Sequence, residues 1–153
     1  MAIRNIVKLG DDVLRKVCRT QMTFDDKLAT TLDDMAETMY KAEGVGLAAP
    51  QIGILRRYCV VDVGDGIIEL VNPVIESMSG EQTGEEGCLS IPNRYESVTR
   101  PMNVTVRAQD RNGESFTITA EGFKARALCH EIDHLDGILY IDKTDKKIRH
   151  RGV

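Results

Sequence analysis

Two histidines four residues apart constrain this chain more than any other feature. Residues 126–137 read RALCHEIDHLDG, in which His130, Glu131 and His134 make the pattern H-E-x-x-H. On an α-helix, residues i and i+4 lie on one face, so both imidazoles can bind one metal ion with the glutamate beside them. The segment is therefore predicted to be a helix that carries a metal site. A catalytic site of this kind usually has three protein ligands and an open position, so a third ligand is required.

Cys129 is excluded as that ligand by the geometry of the helix. At about 100° per residue, its side chain lies roughly 130° from the face that carries the two histidines. A regular helix therefore keeps this thiol away from a metal ion held by both imidazoles, and a packed, inert thiol is expected.

The remaining candidates differ in their sequence context. Cys59 lies in an apolar, strand-like run, and Cys18 lies in a charged segment without neighbouring ligands. Cys88 lies in EEGCLS, a glycine-containing segment that is predicted to be a loop, and loops often present functional groups. This context favours Cys88, with His150 in the polar tail IRHRGV as its rival.

The helical and strand patterns predict an α+β fold, in which short antiparallel strands pack around the metal-binding helix. An N-terminal helix is predicted over residues 23–43, because apolar residues recur at steps of three and four and Gly44 fits a C-terminal stop. Thr23 with Asp26 resembles a capping box at its start. The helix that carries HEIDH is predicted over roughly 123–136.

Strands are predicted between these two helices. Four segments pair around two turn signals: 56–63 and 67–73 around Asp65-Gly66, and 103–109 and 115–121 around Asn112-Gly113. The stretch SMSGEQTGEEGCLSIPN, residues 77–93, is rich in glycine and polar residues and is predicted to be loop with a brief strand. ILYID, residues 138–142, is predicted to be a closing strand.

Length and composition indicate one ordinary globular domain. The chain has 153 residues, 42% of them hydrophobic, and no apolar run long enough to span a bilayer. Its net charge of -4 argues against a nucleic-acid binder. No secretory leader is visible and no cysteine pair is close in sequence, so we expect a cytoplasmic protein without disulfides. We expect a single catalytic domain over 1–153, with 143–153 as a short polar tail.

Three segments resemble the signature motifs of the peptide deformylases, in the same order along the chain. They are GVGLAAPQ (44–51), EEGCLS (85–90) and HEIDH (130–134). H-E-x-x-H alone recurs among many metallopeptidases, whereas three motifs spread across most of the chain are highly specific. The resemblance implies the α+β fold and the metal ligands Cys88, His130 and His134.

The resemblance also implies the reaction, which is removal of the N-terminal formyl group from formyl-methionyl nascent polypeptides with release of formate. A Cys/His/His site with an open position lowers the pKa of a bound water, and Glu131 is expected to act as general base on that metal-bound water. Gln51 and the backbone N–H of Leu89 are expected to stabilise the oxyanion. The family uses Fe²⁺ in the cell, which we expect here, although Zn²⁺, Ni²⁺ or Co²⁺ would suit the same ligands.

An apolar pocket for the methionine side chain is expected beside the metal. Phe123 and Ala127 lie on the helix face that carries the histidines, and Val45 extends this wall. Ordinary core packing is the alternative for Phe123 and Ala127. By resemblance, the main chain near Gly46 hydrogen-bonds the extended peptide. The two glycines of the first motif, Gly44 and Gly46, are expected to let the backbone approach the substrate.

Some features depart from the family pattern. Cys129 stands where glutamine is common, and Lys124 and Arg126 make the pocket rim more polar than the apolar versions of this segment. Asp133 is expected beside His130, in an ion pair with Arg100 or Arg126. The basic tail is the candidate for a transient ribosome contact, although a solvated end is the more common role of such a segment.

Two other classes of protein have related ligands. A zinc endopeptidase would take its third ligand from beyond the helix, where Asp136, Asp142 and Asp145 occur but no Glu or His precedes His150. A structural or sensory metal module would close its site with four ligands, which Glu131 and an open fourth position argue against.

Overall fold

Two α-helices and two antiparallel sheets make up the computed structural model of the chain, which describes residues 2–144. The elements, in chain order, are α1 (Asp26–Lys41), β1 (Gly46–Ala48), β2 (Tyr58–Val61), β3 (Ile68–Ser79), β4 (Gln82–Cys88), β5 (Ile91–Arg100), β6 (Asn103–Gln109), β7 (Ser115–Glu121) and α2 (Gly122–Leu135). Three short 3-10 turns complete them: Asp12–Arg15, Ala49–Ile52 and Tyr140–Asp142. The predicted α+β class is confirmed. Neither helix is long and apolar enough to cross a bilayer.

The larger sheet has five strands in the order β1-β2-β3-β6-β7, and every neighbouring pair is antiparallel. The β6–β7 hairpin turns where the sequence predicts it, because the side chain of Asp110 accepts the backbone N–H groups of Asn112 and Glu114. Strands β2 and β3 pair across the turn that contains Asp65-Gly66, as predicted. The second sheet is the β4–β5 hairpin.

Helix α1 covers one face of the larger sheet. Asp25 caps it by accepting the backbone N–H of Leu28 at 3.0 Å, so the predicted capping box of Thr23 and Asp26 is wrong by two residues. The fully buried stripe of α1 packs on β1 and β2 and consists of Leu28, Leu32, Met35 and Met39. Each such side chain contributes about 1.5–3 kcal/mol through burial.

Helix α2 carries HEIDH and is buried on nearly all sides. One side packs into a core with β1, β2 and β6, through residues such as Leu128 and Ile132. Arg126 on another side reaches the β4–β5 hairpin, where it donates to the backbone carbonyl of Val98 at 3.0 Å. The helix therefore lies between the two sheets, and both contribute to its surroundings.

Two predicted elements are wrong. Residues 77–93, predicted to be mostly loop, form the end of β3, all of β4 and the start of β5. The glycine content of this segment suggested a loop. Within β4, however, Gly87 packs against the ring of Tyr95, and a Cβ at this position would come within 2.7 Å of that ring. The predicted closing strand at 138–142 is a 3-10 turn, in which Asp142 accepts the N–H of Leu139. The buried side chain of Tyr140 donates its hydroxyl to the carbonyl of Arg94 at 2.5 Å.

Gly137 ends the HEIDH helix, and its replacement by alanine tests how tightly this end is packed. Its φ is +74°, and a Cβ there would lie 2.5 Å from the carbonyl oxygen of Arg15. The left-handed conformation costs about 1–2 kcal/mol for alanine, and the steric clash adds about 1–3 kcal/mol. We expect Gly137→Ala to lower the free energy of unfolding by the sum of both, measured by urea denaturation.

Gly53→Ala is the matched control for this prediction. Gly53 has a φ of +83°, but no atom lies within 4 Å of the added Cβ, so only the conformational cost applies. Equal losses in the two variants would contradict the role assigned to the contact between Gly137 and Arg15.

Candidate metal centre

Three side chains with metal-ligating atoms meet between β4 and α2. The sulfur of Cys88 and one ring nitrogen each of His130 and His134 lie within 4.8 Å of one another, and no other such group was found within residues 2–144. The sulfur of Cys88 lies 3.3 Å from Nε2 of His134. Donor atoms around a tetrahedral ion lie about 3.5 Å apart, given metal–sulfur and metal–nitrogen bonds of about 2.3 and 2.1 Å. The thiol and the two imidazoles therefore fit a single transition-metal ion.

The orientation of His130 is set by a carboxylate from the neighbouring strand. Its Nδ1 lies 2.9 Å from Oε1 of Glu86, which leaves Nε2 as the nitrogen available to bind a metal ion. Glu86 also accepts two hydrogen bonds from Arg100, at 2.8 and 2.9 Å, and one from Arg126 at 2.7 Å. Arg100 in turn donates to Asp133 at 2.6 Å. Glu86, Arg100, Arg126 and Asp133 thus form one network, and the exposed Lys143 adds an ion pair with Asp133 at 3.4 Å.

The network keeps Glu86 ionised. Burial alone would raise the pKa of this carboxyl group, but hydrogen bonds from Arg100 and His130 hold it well below its usual value. A permanently charged acceptor at Nδ1 makes an imidazole a better metal ligand, because it fixes the tautomer and raises the basicity of the other nitrogen.

Glu86 is the main functional residue that the sequence analysis missed. The prediction placed Asp133 next to His130; Asp133 does pair with Arg100, but the partner of the imidazole is Glu86. A strand assignment for EEGCLS would have indicated it, because alternate residues of a strand share a face and Glu86 is two residues before Cys88.

Glu131 lies next to the three ligand-type side chains and is 4% exposed. Its Oε1 has no hydrogen-bond partner among the described residues. Burial raises the pKa of its carboxyl group to about 7, with the nearby His130 opposing the shift and Glu86 and Asp133 adding to it. A carboxyl group with this pKa can take up and release a proton near neutrality.

The glycines of the first motif make room for these side chains. A Cβ on Gly46 would lie 2.5 Å from Oε2 of Glu131, and a Cβ on Gly44 would lie 2.7 Å from Cδ1 of Leu89. We expected both glycines to let the backbone approach a substrate. The structure gives a more direct reason for the two glycines. A larger residue at either position would displace the side chain of Glu131 or of Leu89.

Gln51 is held rigidly beside the sulfur. It is 1% exposed, and its Oε1 accepts the backbone N–H of Ala48 at 2.9 Å. Its Nε2 donates to the hydroxyl of Ser90 at 3.1 Å and lies 3.5 Å from the sulfur of Cys88. Ser90, which is fully buried, was missed by the sequence analysis, because a serine in a loop has no distinguishing signal.

A cleft of about 410 Å³ opens beside the candidate metal site. The predicted site residues that line it are Val45, Gly46, Gln51, Cys88, Leu89, Phe123, Ala127, His130 and Glu131. His134 lies behind them and is 1% exposed. Phe123 is 56% exposed at the mouth of the cleft, so the alternative of core packing does not apply to it, whereas Ala127 is buried.

The other candidate ligands lie elsewhere. Cys18, Cys59 and Cys129 are buried in the core formed by α2 and the larger sheet. Burial raises the pKa of the Cys129 thiol to about 11, as expected for an inert, packed cysteine. His150, the rival third ligand, lies outside the described residues.

The three motifs therefore meet at one cleft, and comparison with known proteins gives the family. The polypeptide deformylase family model matches residues 3–150. The chain belongs to the peptide deformylase family. Peptide deformylases of Caldicellulosiruptor bescii and Clostridium botulinum are each 55% identical to it, over 144 and 147 residues. These matches cover 94% and 96% of this chain, and 87% and 100% of the two relatives.

Solved peptide deformylase structures have the same fold. The crystal structure of the Thermotoga maritima peptide deformylase matches with a TM-score of 0.92 at 42% identity, covering 94% of this chain and 98% of that chain. The Legionella pneumophila structure matches with a TM-score of 0.91 at 48% identity, covering 97% and 90%. Peptide deformylases are metal-dependent hydrolases that act on formylated nascent peptides, so the predicted family, enzyme class and fold are confirmed.

Replacing Glu86 by glutamine tests the buried network around His130. Glu86→Gln leaves two buried guanidinium groups short of one negative charge, and we expect the free energy of unfolding to fall by about 3 kcal/mol. Urea denaturation followed by circular dichroism measures the loss. The exposed neighbour supplies the control, since Glu85→Gln should change stability by less than about 0.5 kcal/mol. Similar stabilities of the two variants would contradict the structural role of Glu86.

Proposed function

We propose that this chain removes the formyl group from the N-terminus of formyl-methionyl nascent polypeptides and releases formate. Cys88, His130 and His134 would hold one divalent ion for this reaction. The observation that carries the proposal is the position of Glu131, a buried carboxylate with an unpartnered oxygen, directly beside these three ligand-type side chains in an open cleft.

The donor set limits the ion without selecting one. A thiolate with two imidazoles suits Fe²⁺, Zn²⁺, Ni²⁺ and Co²⁺, and we propose Fe²⁺ in the cell by resemblance to the family. When bound, such an ion supplies Lewis acidity, which lowers the pKa of a water molecule and polarises the formyl carbonyl.

Glu131 is the proposed general base. Its unpartnered Oε1 would accept the proton of the attacking water, and the same carboxyl group would then deliver a proton to the departing amine. Burial, which raises the pKa of this carboxyl group, supports both steps, because a carboxyl group with a raised pKa exchanges protons more effectively near neutrality. Gly46 would act as a positioning residue, since it leaves space for this carboxylate.

Gln51 and the backbone N–H of Leu89 are the proposed donors to the oxyanion. The amide of Gln51 is fixed by Ala48 and Ser90, so it would not have to reorganise during the reaction. A preorganised donor of this kind is worth about 3 kcal/mol in the transition state. Leu89 adjoins Cys88, which would bring its N–H close to the same oxygen.

The cleft supports an extended peptide with methionine first. Val45, Phe123 and Ala127 would form an apolar wall for the methionine side chain, and the main chain at Gly46 would hydrogen-bond the peptide backbone. We propose one catalytic domain over 1–153, because helix α2 takes contacts from both sheets. A nascent-chain substrate favours a cytoplasmic protein, and the tail, described only to residue 144, stays the candidate for a transient ribosome contact.

Formylated and acetylated peptides separate this function from that of a peptidase. Protein purified without oxygen should release formate from a formyl-Met peptide and leave the matching acetyl-Met peptide intact, because the acetyl methyl group crowds the carbonyl carbon. Coupled formate detection and mass spectrometry of the products measure both reactions. Cleavage of internal peptide bonds, or no formate from the formyl peptide, would contradict the proposal.

Glu131→Gln tests the general base. The variant should retain one ion per chain, because the proposed ligands are unchanged, while the turnover number falls by about 10²–10⁴-fold. Elemental analysis and formate release give the two values, and Glu81→Gln, an exposed position outside the cleft lining, should keep normal turnover. Near-normal turnover in Glu131→Gln would rule out this carboxylate as the base, and loss of the ion would make it a ligand instead.

A further inference from the structure

The N-terminal segment, residues 7–18, makes a hydrogen bond at the end of each of the three motifs. Three of its backbone N–H groups each donate to a backbone carbonyl there: Val7 to Gln51 at 2.7 Å, Leu9 to Ser90 at 2.9 Å and Cys18 to Leu135 at 2.8 Å. Gln51 ends GVGLAAPQ, Ser90 ends EEGCLS and Leu135 directly follows HEIDH. These three N–H groups, which we call the N-terminal clamp, thus join regions that are far apart in sequence.

Two of the three bonds act on residues that already contact each other. The side chain of Gln51 donates to the hydroxyl of Ser90 at 3.1 Å. Val7 and Leu9, two positions apart, bind the main chains of this same pair. Both Gln51 and Ser90 are buried, where a carbonyl that loses its donor costs free energy. The pair is therefore fixed through its side chains and through its main chains.

The segment is itself anchored on both sides of these two bonds. Upstream, Arg4 donates to the buried carboxylate of Asp34 on helix α1 at 3.0 Å. Downstream, the buried side chain of Leu14 lies in a cluster against which Val7 and Cys88 also pack. Because other parts of the fold hold the segment, it can fix the position of the motifs that it contacts.

Leu9 lies at the second position of a tight turn. The N–H of Asp11 donates to the carbonyl of Lys8 at 3.2 Å, and Gly10 at the third position has a φ of +106°. This arrangement resembles a type II turn, which favours glycine at the third position and proline at the second. Proline at position 9 is therefore compatible with the turn, and it lacks the N–H that donates to Ser90.

We propose that Val7, Leu9 and Cys18 are positioning residues, whose backbone N–H groups set the ends of the three motifs at the spacing that the reaction requires. This inference rests on the proposed function. The first two act on the proposed oxyanion donors, because Gln51 is one of them and Ser90 directly follows the other. Displacing such a donor by about 1 Å costs up to about 10²-fold in rate.

Leu9→Pro in the metal-loaded enzyme removes one bond of the clamp. We expect kcat for a formyl-Met peptide to fall by about tenfold or more, with KM changed by less than about twofold, because an oxyanion donor acts in the transition state. Elemental analysis should still give one ion per chain. A normal kcat in the folded variant would overturn the inference, and so would a fall in kcat that is explained by loss of the ion.

Asp12→Pro is the matched control. Asp12 is exposed and begins a 3-10 turn, and Asp11 before it is extended, with φ of -81° and ψ of 128°. Proline is favoured at the first position of a helical turn and accepts an extended residue before it. No hydrogen bond from the N–H of Asp12 was found within residues 2–144. Its kcat should stay within about twofold of the wild type, and a loss equal to that of Leu9→Pro would contradict the clamp.

Combining Leu9→Pro with Gln51→Ala separates positioning from general destabilisation. If the clamp acts through Gln51, Leu9→Pro should lower kcat by a factor at least about threefold smaller when this amide is already absent. A destabilised fold would lower kcat by the same factor in both backgrounds, and that result would overturn the inference.

Hydrogen exchange of the wild-type enzyme, followed by NMR, tests the clamp even where Leu9→Pro fails to fold. Relative to their intrinsic rates, the amides of Val7, Leu9 and Cys18 should exchange at least about tenfold more slowly than those of Lys8 and Asp12. Equal protection would overturn the inference. Val7→Pro is then the second variant, with the same expected fall in kcat. Protected clamp amides in a wild-type enzyme that releases no formate would defeat the proposed function instead.

Discussion

The carboxylate of Glu86 is the interaction on which the site depends. It lies on β4, two residues before Cys88, and it receives the imidazole of His130 from α2 together with the guanidinium groups of Arg100 and Arg126. The strand that carries the thiol and the helix that carries the imidazoles are thus joined by a charged, buried contact. Arg126 adds hydrogen bonds to the carbonyls of Val98 and Gly84, and Asp133 of the helix accepts from Arg100, so further contacts hold the helix against the same hairpin.

Such a network costs free energy to form, and it therefore favours one arrangement of the strand and the helix over others. Burying a carboxylate and two guanidinium groups removes their hydration, which the ion pairs offset only when the geometry is good and the remaining donors find partners. Here the backbone carbonyls of Val98 and Gly84 accept from Arg126, and Asp133 accepts from Arg100. The gain is one defined orientation for the strand, the helix and the imidazole, more than added stability.

Close packing completes the arrangement on the opposite side. Gly46 on β1 leaves space for the carboxylate of Glu131, and Gly44 leaves space for the side chain of Leu89. Gln51, in the turn that follows, is locked by Ala48 and Ser90. The small residues of the first motif thus allow β1 and its turn to approach the helix and β4 closely.

Local spacing alone determined several features of this chain. The four-residue step between His130 and His134, the apolar stripe of α1 and the turn at Asn112-Gly113 depend on neighbours in sequence, and helix and strand geometry relate them directly to structure. Only the tertiary structure decided that Glu86 binds His130, that Arg126 is a buried wall of the cleft and that residues 82–100 form a hairpin. These depend on which distant groups share a buried space. Leaving a charge unpaired in such a space costs free energy, and this cost decides which groups pair. Local sequence patterns contain no information about it.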